Sequence, residues 1–402
     1  MPVPAEPSSP IPAALAPLAD TDPLHPADPP RLLAYLAAIP DPRRASGRRH
    51  PLTAILAIAA AAVLTGARSV TAIAEWAAEA PPPVRAALGG RRDAPDRWTV
   101  PCEATIRRTL ARVDATALAA VLGAWLADRD RPARQQRRHA VAVDGKTLRG
   151  AKRDDGRQVH LLAAMEHATR AVLAQRPVDG APGEVPGLVP LLAGLDLAGA
   201  VITADALHTH PSTAEFLVTG KQAHYLLVVK GNQPTLLARC AAIPWQDVPV
   251  ADRTRDRARD RAHGRIELRT LKAVTVGHVG FPHAAQVLQV TRKTRELGTR
   301  GWRVVVVYAI TSLPFESASP ARLADLLRGH WLIEALHHIR DTTFAEDASQ
   351  LRSGSGPEVM ACLRNLVIGA LCRAGPVNLA AALRHHARDP RRPLVTLGIT
   401  LG

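Results

Sequence analysis

The stretch HAVAVDGK, residues 139–146, decides the fold, because it is a short apolar β-type run that ends on an acid. Asp144 follows the apolar residues directly. A second stretch, VITADALH at residues 201–208, repeats the pattern with Asp205. Taken singly, an acid at such a point most often caps a strand end or accepts turn hydrogen bonds. Two of them, in the fold described below, favour a shared site.

A third acid, Glu334, lies far along the chain on a helix that opens with HWLIE at residues 330–334. Two Mg²⁺ or Mn²⁺ ions about 3.5–4 Å apart need acidic oxygens around them. We therefore predict that Asp144, Asp205 and Glu334 are the catalytic and metal-binding residues of a two-ion phosphoryl-transfer site. Asp341 competes with Glu334 but lies two helical turns further on, about 10 Å away. Zinc is disfavoured, because no H-E-x-x-H motif or cysteine ligand accompanies His330 and His337.

The elements around the acids indicate an α/β fold. Hydrophobic patterns and a hairpin signal at Asp154-Asp155-Gly156 predict three strands, a helix, a strand, a helix and a strand after residue 138. This is the order of a ribonuclease-H-like mixed sheet, in which the first and fourth strands end side by side and would bring Asp144 to Asp205. A β-rich insertion, residues 231–319, precedes the final long helices.

Composition divides the rest of the chain. Residues 1–30 hold ten of the 34 prolines and read as a disordered tail. Apolar spacings of three and four predict helices throughout the next hundred residues. The predicted regions are a helical domain at 31–130, a basic linker at 131–138, a catalytic domain at 139–375, and a C-terminal helix and tail at 376–402.

Charge predicts a polyanionic partner. The 402 residues carry 51 Lys and Arg against 36 Asp and Glu, a net charge of +15, which suits nucleic acid or an acidic membrane surface. The longest apolar run, Leu52–Leu64, is too short to span a bilayer. No signal peptide is visible, and the four cysteines form no CxxC pair. We therefore expect a reduced cytoplasmic, nucleoid-associated protein that binds double-stranded DNA and no membrane.

The chain resembles the DDE transposases of bacterial insertion sequences, specifically the H-repeat-associated (ISAs-type) branch. The resemblance implies a ribonuclease-H-like core, a helical DNA-binding region before it, and a homodimer that cleaves and transfers strands at terminal inverted repeats with two Mg²⁺ or Mn²⁺ ions. One departure concerns the Lys-(Ser/Thr)-Asn-Glu-like segment of the family, of which only Glu184 remains. The resembling segments, in chain order, are RRHPLTAILAIAAAAVLTGA, PCEATIRRTL, AVDGKTLRGA, HLLAA, VITADALHTH, YLLVVKGNQP, HGRIELR and RGHWLIEALHHIRDTTFAEDASQLR.

Further residues beside the acids or in the helical region carry groups that suit DNA contact, with a solvated surface side chain as the bland alternative. The predicted DNA-binding residues are Lys146, Arg149, His208, Lys230, Asn232, His330, Arg107, Arg108 and Arg112. The altered segment at residues 181–184 leaves a second hypothesis, a decayed or repurposed relative that binds specific DNA without strand transfer. A nuclease that only hydrolyses DNA is a weaker third.

Overall fold

The computed structural model describes residues 32–95, 97–129, 139–153, 155–254, 264–373 and 378–401. The predicted disordered tail, the basic linker and most of the charged run 252–261 lie outside the described residues.

The N-terminal region is helical apart from one hairpin. Helix α2 is apolar all round and almost fully buried, as expected for a core helix. Strands β1 and β2 pair antiparallel, so the prediction of helix throughout is wrong here. Their arginine-rich residues are mostly exposed and give no apolar periodicity to read. The elements are α1 Leu32–Leu36, α2 Leu52–Leu64, α3 Val70–Glu79, α4 Pro82–Ala87, β1 Arg91–Ala94, β2 Arg97–Thr99, α5 Glu103–Leu110 and α6 Ala115–Arg129.

The following strands form a mixed sheet with the predicted ribonuclease-H-like order. Strands β3, β4 and β5 are antiparallel, and β6 and β7 join beyond β3 in parallel. Strand β3 runs on well past Asp144, where sequence patterning ended it. The strands are β3 Ala140–Lys152, β4 Gln158–Glu166, β5 Val172–Val178, β6 Val201–Ala204 and β7 His224–Val229.

The β-rich insertion extends this same sheet. Its last strand pairs antiparallel with β7, for example at Tyr308 opposite Val229. The sheet order is therefore β5-β4-β3-β6-β7-β11-β10-β9-β8. The insertion strands are β8 Asp252–Thr254, β9 Arg265–Thr275, β10 Gln286–Glu296 and β11 Arg303–Thr311.

The longest helix, α10, packs against β3 and carries the third acid. Ser319 caps its first turn by accepting a hydrogen bond from the Arg322 amide, and Pro320 occupies the first helical position. In the predicted C-terminal helix and tail, Leu394, Leu397 and Ile399 are buried. The helices are α7 Glu184–Leu192, α8 Pro211–Glu215, α9 Pro234–Ala241, α10 Pro320–Thr342, α11 Gly356–Cys372, α12 Leu379–Ala387 and α13 Arg392–Thr396.

One hydrophobic core joins the N-terminal helices to the sheet. Helix α6 lies on β5 and α11, and α2 contacts α11, α12 and α13. Gly123 permits the close approach of α6 to β5, because a Cβ there would lie 2.1 Å from the Leu173 carbonyl oxygen. Among the described residues no single helix is long and apolar enough to cross a membrane. Helices α5 and α6 together pass on length and composition, but they meet at a bend of 94°.

Candidate active site

Strand pairing places the first two acids side by side. Strand β3 pairs in parallel with β6, with Val143 opposite Ala204. Asp144 and Asp205 are the next residues on these two chains. Asp205 then begins a turn, and its carboxylate accepts a hydrogen bond from the Leu207 amide at 2.9 Å. The two aspartates are therefore neighbours at two adjacent central strands of the sheet, just beyond their paired residues.

Helix α10 brings Glu334 into the same electrostatic environment. Partial desolvation raises the pKa of Glu334, and the negative charge of Asp144, followed by that of Asp205, raises it further. The positive charge of Lys230 opposes this increase. His337, one turn along α10, places Nδ1 3.4 Å from Asp144 Oδ2. Glu334 is thus close enough for the charges of Asp144 and Asp205 to raise its pKa, and a histidine lies beside Asp144.

A polar chain docks α10 onto the sheet. Hydrogen bonds join His167 Nε2 to Thr203 Oγ1 at 2.9 Å and Thr203 Oγ1 to His330 Nδ1 at 3.3 Å. Burial lowers the pKa of His167 to about 3, with help from the charges of His330 and Arg322. His330 is 6% exposed and helps to dock α10 on the sheet, while its predicted DNA contact stays a prediction.

The competing acid on α10 is occupied elsewhere. Asp341 accepts hydrogen bonds from the Lys146 ammonium at 2.7 Å to each carboxylate oxygen. The Lys146 side chain is only 7% exposed, and Asp347 Oδ1 lies 3.9 Å from the same nitrogen. The predicted DNA contact by Lys146 is therefore corrected, because its charge is engaged inside the protein. Asp341 is therefore paired with a lysine, whereas Glu334 is the acid of α10 whose pKa responds to both strand-end aspartates.

A fourth acid, Glu184, is buried beside the backbone that follows Asp144. His160 donates from Nε2 to Glu184 Oε1 at 2.8 Å, and His208 Nε2 lies 3.2 Å from Glu184 Oε2. Burial alone would raise the pKa of Glu184, but the hydrogen bonds from His160 and His208 outweigh it and lower the pKa to about 2. His208 is fully buried against Glu184, so its side chain is not exposed for the predicted DNA contact.

The other predicted DNA contacts near the acids lie on the surface. Lys230 and Asn232 are exposed at the end of β7. Asn232 donates a hydrogen bond from Nδ2 to the carbonyl of Ala206, which ties its loop to the turn after Asp205. Arg149 is also exposed, and its amide donates to Asp347 Oδ1 at 3.2 Å. These three side chains remain candidates for DNA contact.

A cavity of about 220 Å³ opens beside Asp205 and Glu334, between α10 and the insertion strands. Trp331 is 39% exposed there, and the Arg269 guanidinium lies 3.9 Å from its ring centroid. Arg269 and Arg292 are opposite residues on β9 and β10. Sequence reasoning missed this cationic rim, since only the strand register brings the two arginines together. Their alternation with apolar residues was the available signal.

In the N-terminal region, Arg107, Arg108 and Arg112 are all exposed on or just after α5. Arg107 forms an ion pair with Glu103 one turn earlier, and Arg108 donates to the Ala104 carbonyl at 3.1 Å. Ile106 and Leu110 hold the opposite face in the core. The helix therefore presents a basic surface to solvent.

The donor set near the sheet edge suits a hard cation. Aspartate and glutamate supply only oxygen, the ligand type that Mg²⁺ and Mn²⁺ prefer. Burial and, after it, repulsion by Asp144 and Asp205 raise the pKa of Glu334, and a bound cation would relieve that repulsion. As they stand, no three His, Cys, Asp or Glu side chains within the described ranges are grouped closely enough to ligate one ion.

Comparison with known proteins gives two family matches. A family model described as "Transposase DDE domain" matches residues 135–369, more than half of the chain, and one described as "DDE_Tnp_1-associated" matches residues 33–126. The chain is 27% identical to "Putative transposase YncI" of Escherichia coli O157:H7, over 85% of this chain and 87% of that protein. It is 24% identical to "H repeat-associated putative transposase YhhI" of Escherichia coli K12, over 85% and 90%.

A solved structure, the piggyBac transposase synaptic complex with hairpin DNA, aligns with a TM-score of 0.42 and 10% identity. It covers 89% of this chain and 76% of that one. A likeness this distant carries no argument about function.

Proposed function

Because this chain belongs to the family of transposases with a DDE domain, we propose that it cleaves DNA and transfers strands at the terminal inverted repeats of an insertion sequence. The observation that carries the proposal is the parallel pairing of β3 with β6, which sets Asp144 beside Asp205. Glu334 responds to the charge of both. Two copies would act together, one at each element end.

Asp144, Asp205 and Glu334 would hold two Mg²⁺ or Mn²⁺ ions. When bound, such ions lower the pKa of an attacking hydroxyl and offset the charge that develops on the phosphodiester. The protein's own groups orient the acids: His337 lies against Asp144, and the Leu207 amide fixes Asp205. Lys230 is exposed beside Glu334 and is the proposed phosphate contact at this edge.

The alternative hypothesis is a DNA-binding protein without catalysis, and it rests on the altered segment that ends at Glu184. Glu184 keeps two histidine partners, so the change before it has not removed the buried acid. No other described feature favours the alternative over an enzyme.

The test compares two acids of one helix. Purified protein is expected to cleave terminal-repeat DNA with Mg²⁺ and to stay inactive in chelator. Glu334→Gln should lower cleavage at least about 100-fold while DNA affinity is unchanged, because it removes a proposed metal ligand. Asp341→Asn is the matched control and should cost less, since Asp341 pairs with Lys146. Full activity after metal removal, or a greater loss in Asp341→Asn, would contradict the proposal.

A further inference from the structure

Glu184 is the buried acid that the proposed metal set does not use. It lies in the first turn of α7 and is 6% exposed. A buried carboxylate is costly unless hydrogen bonds or opposite charges compensate it. Each of its two oxygens faces a different histidine, His160 at 2.8 Å and His208 at 3.2 Å.

One histidine lies on the strand that pairs with the strand of Asp144, and the other lies in the turn that follows Asp205. His160 lies on β4 opposite Thr147 of β3, and Thr147 Oγ1 lies 2.8 Å from His160 Nδ1. His208 ends the short turn that Asp205 begins. One carboxylate therefore connects the strand of Asp144, through His160, to the turn of Asp205.

A third contact reaches the backbone directly beside Asp144. A Cβ built on Gly145 would lie 2.2 Å from Glu184 Oε1 and 2.6 Å from His160 Nε2. Only glycine allows the carboxylate this close to β3. The side chain of Glu184 thus lies between the backbone next to Asp144 and the turn after Asp205, and it contacts both.

We propose that Glu184 is a positioning residue, which fixes the separation of the Asp144 and Asp205 carboxylates by clamping the backbone of both. This inference rests on the proposed function, in which those carboxylates share metal ions. Glu184 itself touches neither DNA nor metal. Its loss lets the two segments relax apart, which weakens ion binding before it affects DNA affinity.

The experiment measures Mn²⁺ binding to the full chain by calorimetry, together with Mg²⁺-dependent cleavage of terminal-repeat DNA. Glu184→Ala should raise the Kd for Mn²⁺ about 10–100-fold, the usual effect of removing an outer partner of metal ligands. It should lower kcat with the KM for DNA unchanged. Glu184→Gln keeps the shape and one acceptor, so its effect should be intermediate. The control is Glu358→Ala. It removes a buried acid of α11 that pairs with Arg153, and it should leave the Kd for Mn²⁺ unchanged.

Gly145→Ala disturbs the same contact without touching the acid. It should weaken Mn²⁺ binding as well, and the double variant with Glu184→Ala should be no worse than the worse single variant, because both break one contact. A folded Glu184→Ala protein with wild-type Mn²⁺ affinity, or strictly additive losses, would overturn the clamp while the proposed function stands. A wild-type protein that neither binds Mn²⁺ nor cleaves DNA would overturn both.

Discussion

Just after α10, the buried carboxylate of Glu346 binds two arginines. It accepts hydrogen bonds from Arg340 Nε and from Arg364 Nη1, each at 2.8 Å, and all three side chains are at most 2% exposed. Arg364 also donates to the Arg68 carbonyl at 3.4 Å. The helix that carries Glu334 is thereby tied to α11 and to the N-terminal region.

Glu346→Ala should therefore destabilise the protein by about 3–5 kcal/mol, because it leaves two buried guanidinium groups without their counterion. The measurement is the free energy of unfolding in urea. Glu103→Gln breaks an exposed ion pair within one helix and should cost no more than about 0.5 kcal/mol. Equal costs for the two variants would contradict the importance given to the buried cluster.

The same cluster gives a pH dependence. Burial alone would raise the pKa of Glu346, but the charges and hydrogen bonds of Arg340 and Arg364 lower it overall. A carboxyl with a lowered pKa in the folded state stabilises fully above its ordinary pKa of 4.5. That contribution is lost as pH falls below 4.5 toward the folded-state value. Glu346→Gln should flatten this part of the stability profile.

The neighbouring positions of Asp144 and Asp205 could be predicted from sequence, because each aspartate directly follows an apolar strand. The partners of the basic side chains could not be predicted from sequence. Lys146 meets Asp341, a residue 195 positions away, and His208 is covered by Glu184 of another element. A charged side chain looks the same in sequence whether it is solvated or paired across the fold.

Among the elements, α2 has the clearest apolar pattern, and the apolar run Leu52–Leu64 coincides with the bounds of the helix. Strand β3 was predicted too short, because Gly145, Lys146 and the residues after them lack the apolar alternation of a strand. Its second half is covered on one side by β4 and by the segment around Asp347. Tertiary contacts, not local propensity, keep that half extended.

Packing of α6 on β5 depends on the absence of a side chain at Gly123. Gly123→Ala would force a Cβ to within 2.1 Å of the Leu173 carbonyl, so the helix must move outward. We expect a loss of about 1–3 kcal/mol in the free energy of unfolding, as for other overpacked sites. Gly194→Ala has open space around the added methyl and should change stability by less than about 0.5 kcal/mol. A neutral Gly123→Ala would show that α6 does not lie this close.

If α5 contacts DNA phosphates, neutralising one of its arginines must release fewer counterions on binding. Arg108→Gln should weaken binding to all DNA sequences and make the plot of log affinity against log salt shallower by about 1. Arg388→Gln, an exposed arginine of the C-terminal region, is the control and should leave the slope unchanged. An unchanged slope in Arg108→Gln would remove α5 from the proposed DNA surface.

At the scale of the whole molecule, the helical region is not an independent unit. Its core is continuous with that of the sheet, and α6 would expose a large apolar face without β5 and α11. A fragment of residues 32–129 is therefore expected to lack a cooperative unfolding transition in urea. A sharp transition for that fragment would contradict the shared core. DNA binding by this region is better tested by substitutions in the full chain.

Helix α2 contacts α11, α12 and α13, so it meets partners that are translated long after it. Contacts between chain segments this distant form slowly, and here they form only after the later helices have been made. Until those helices are made, the nascent chain exposes an apolar surface of α2, and we expect it to need chaperones. A premature stop codon that removed only α12 and α13 would spare every proposed catalytic residue. It would still expose the part of α2 that α12 and α13 cover, and we expect such a copy of the gene to give no active protein.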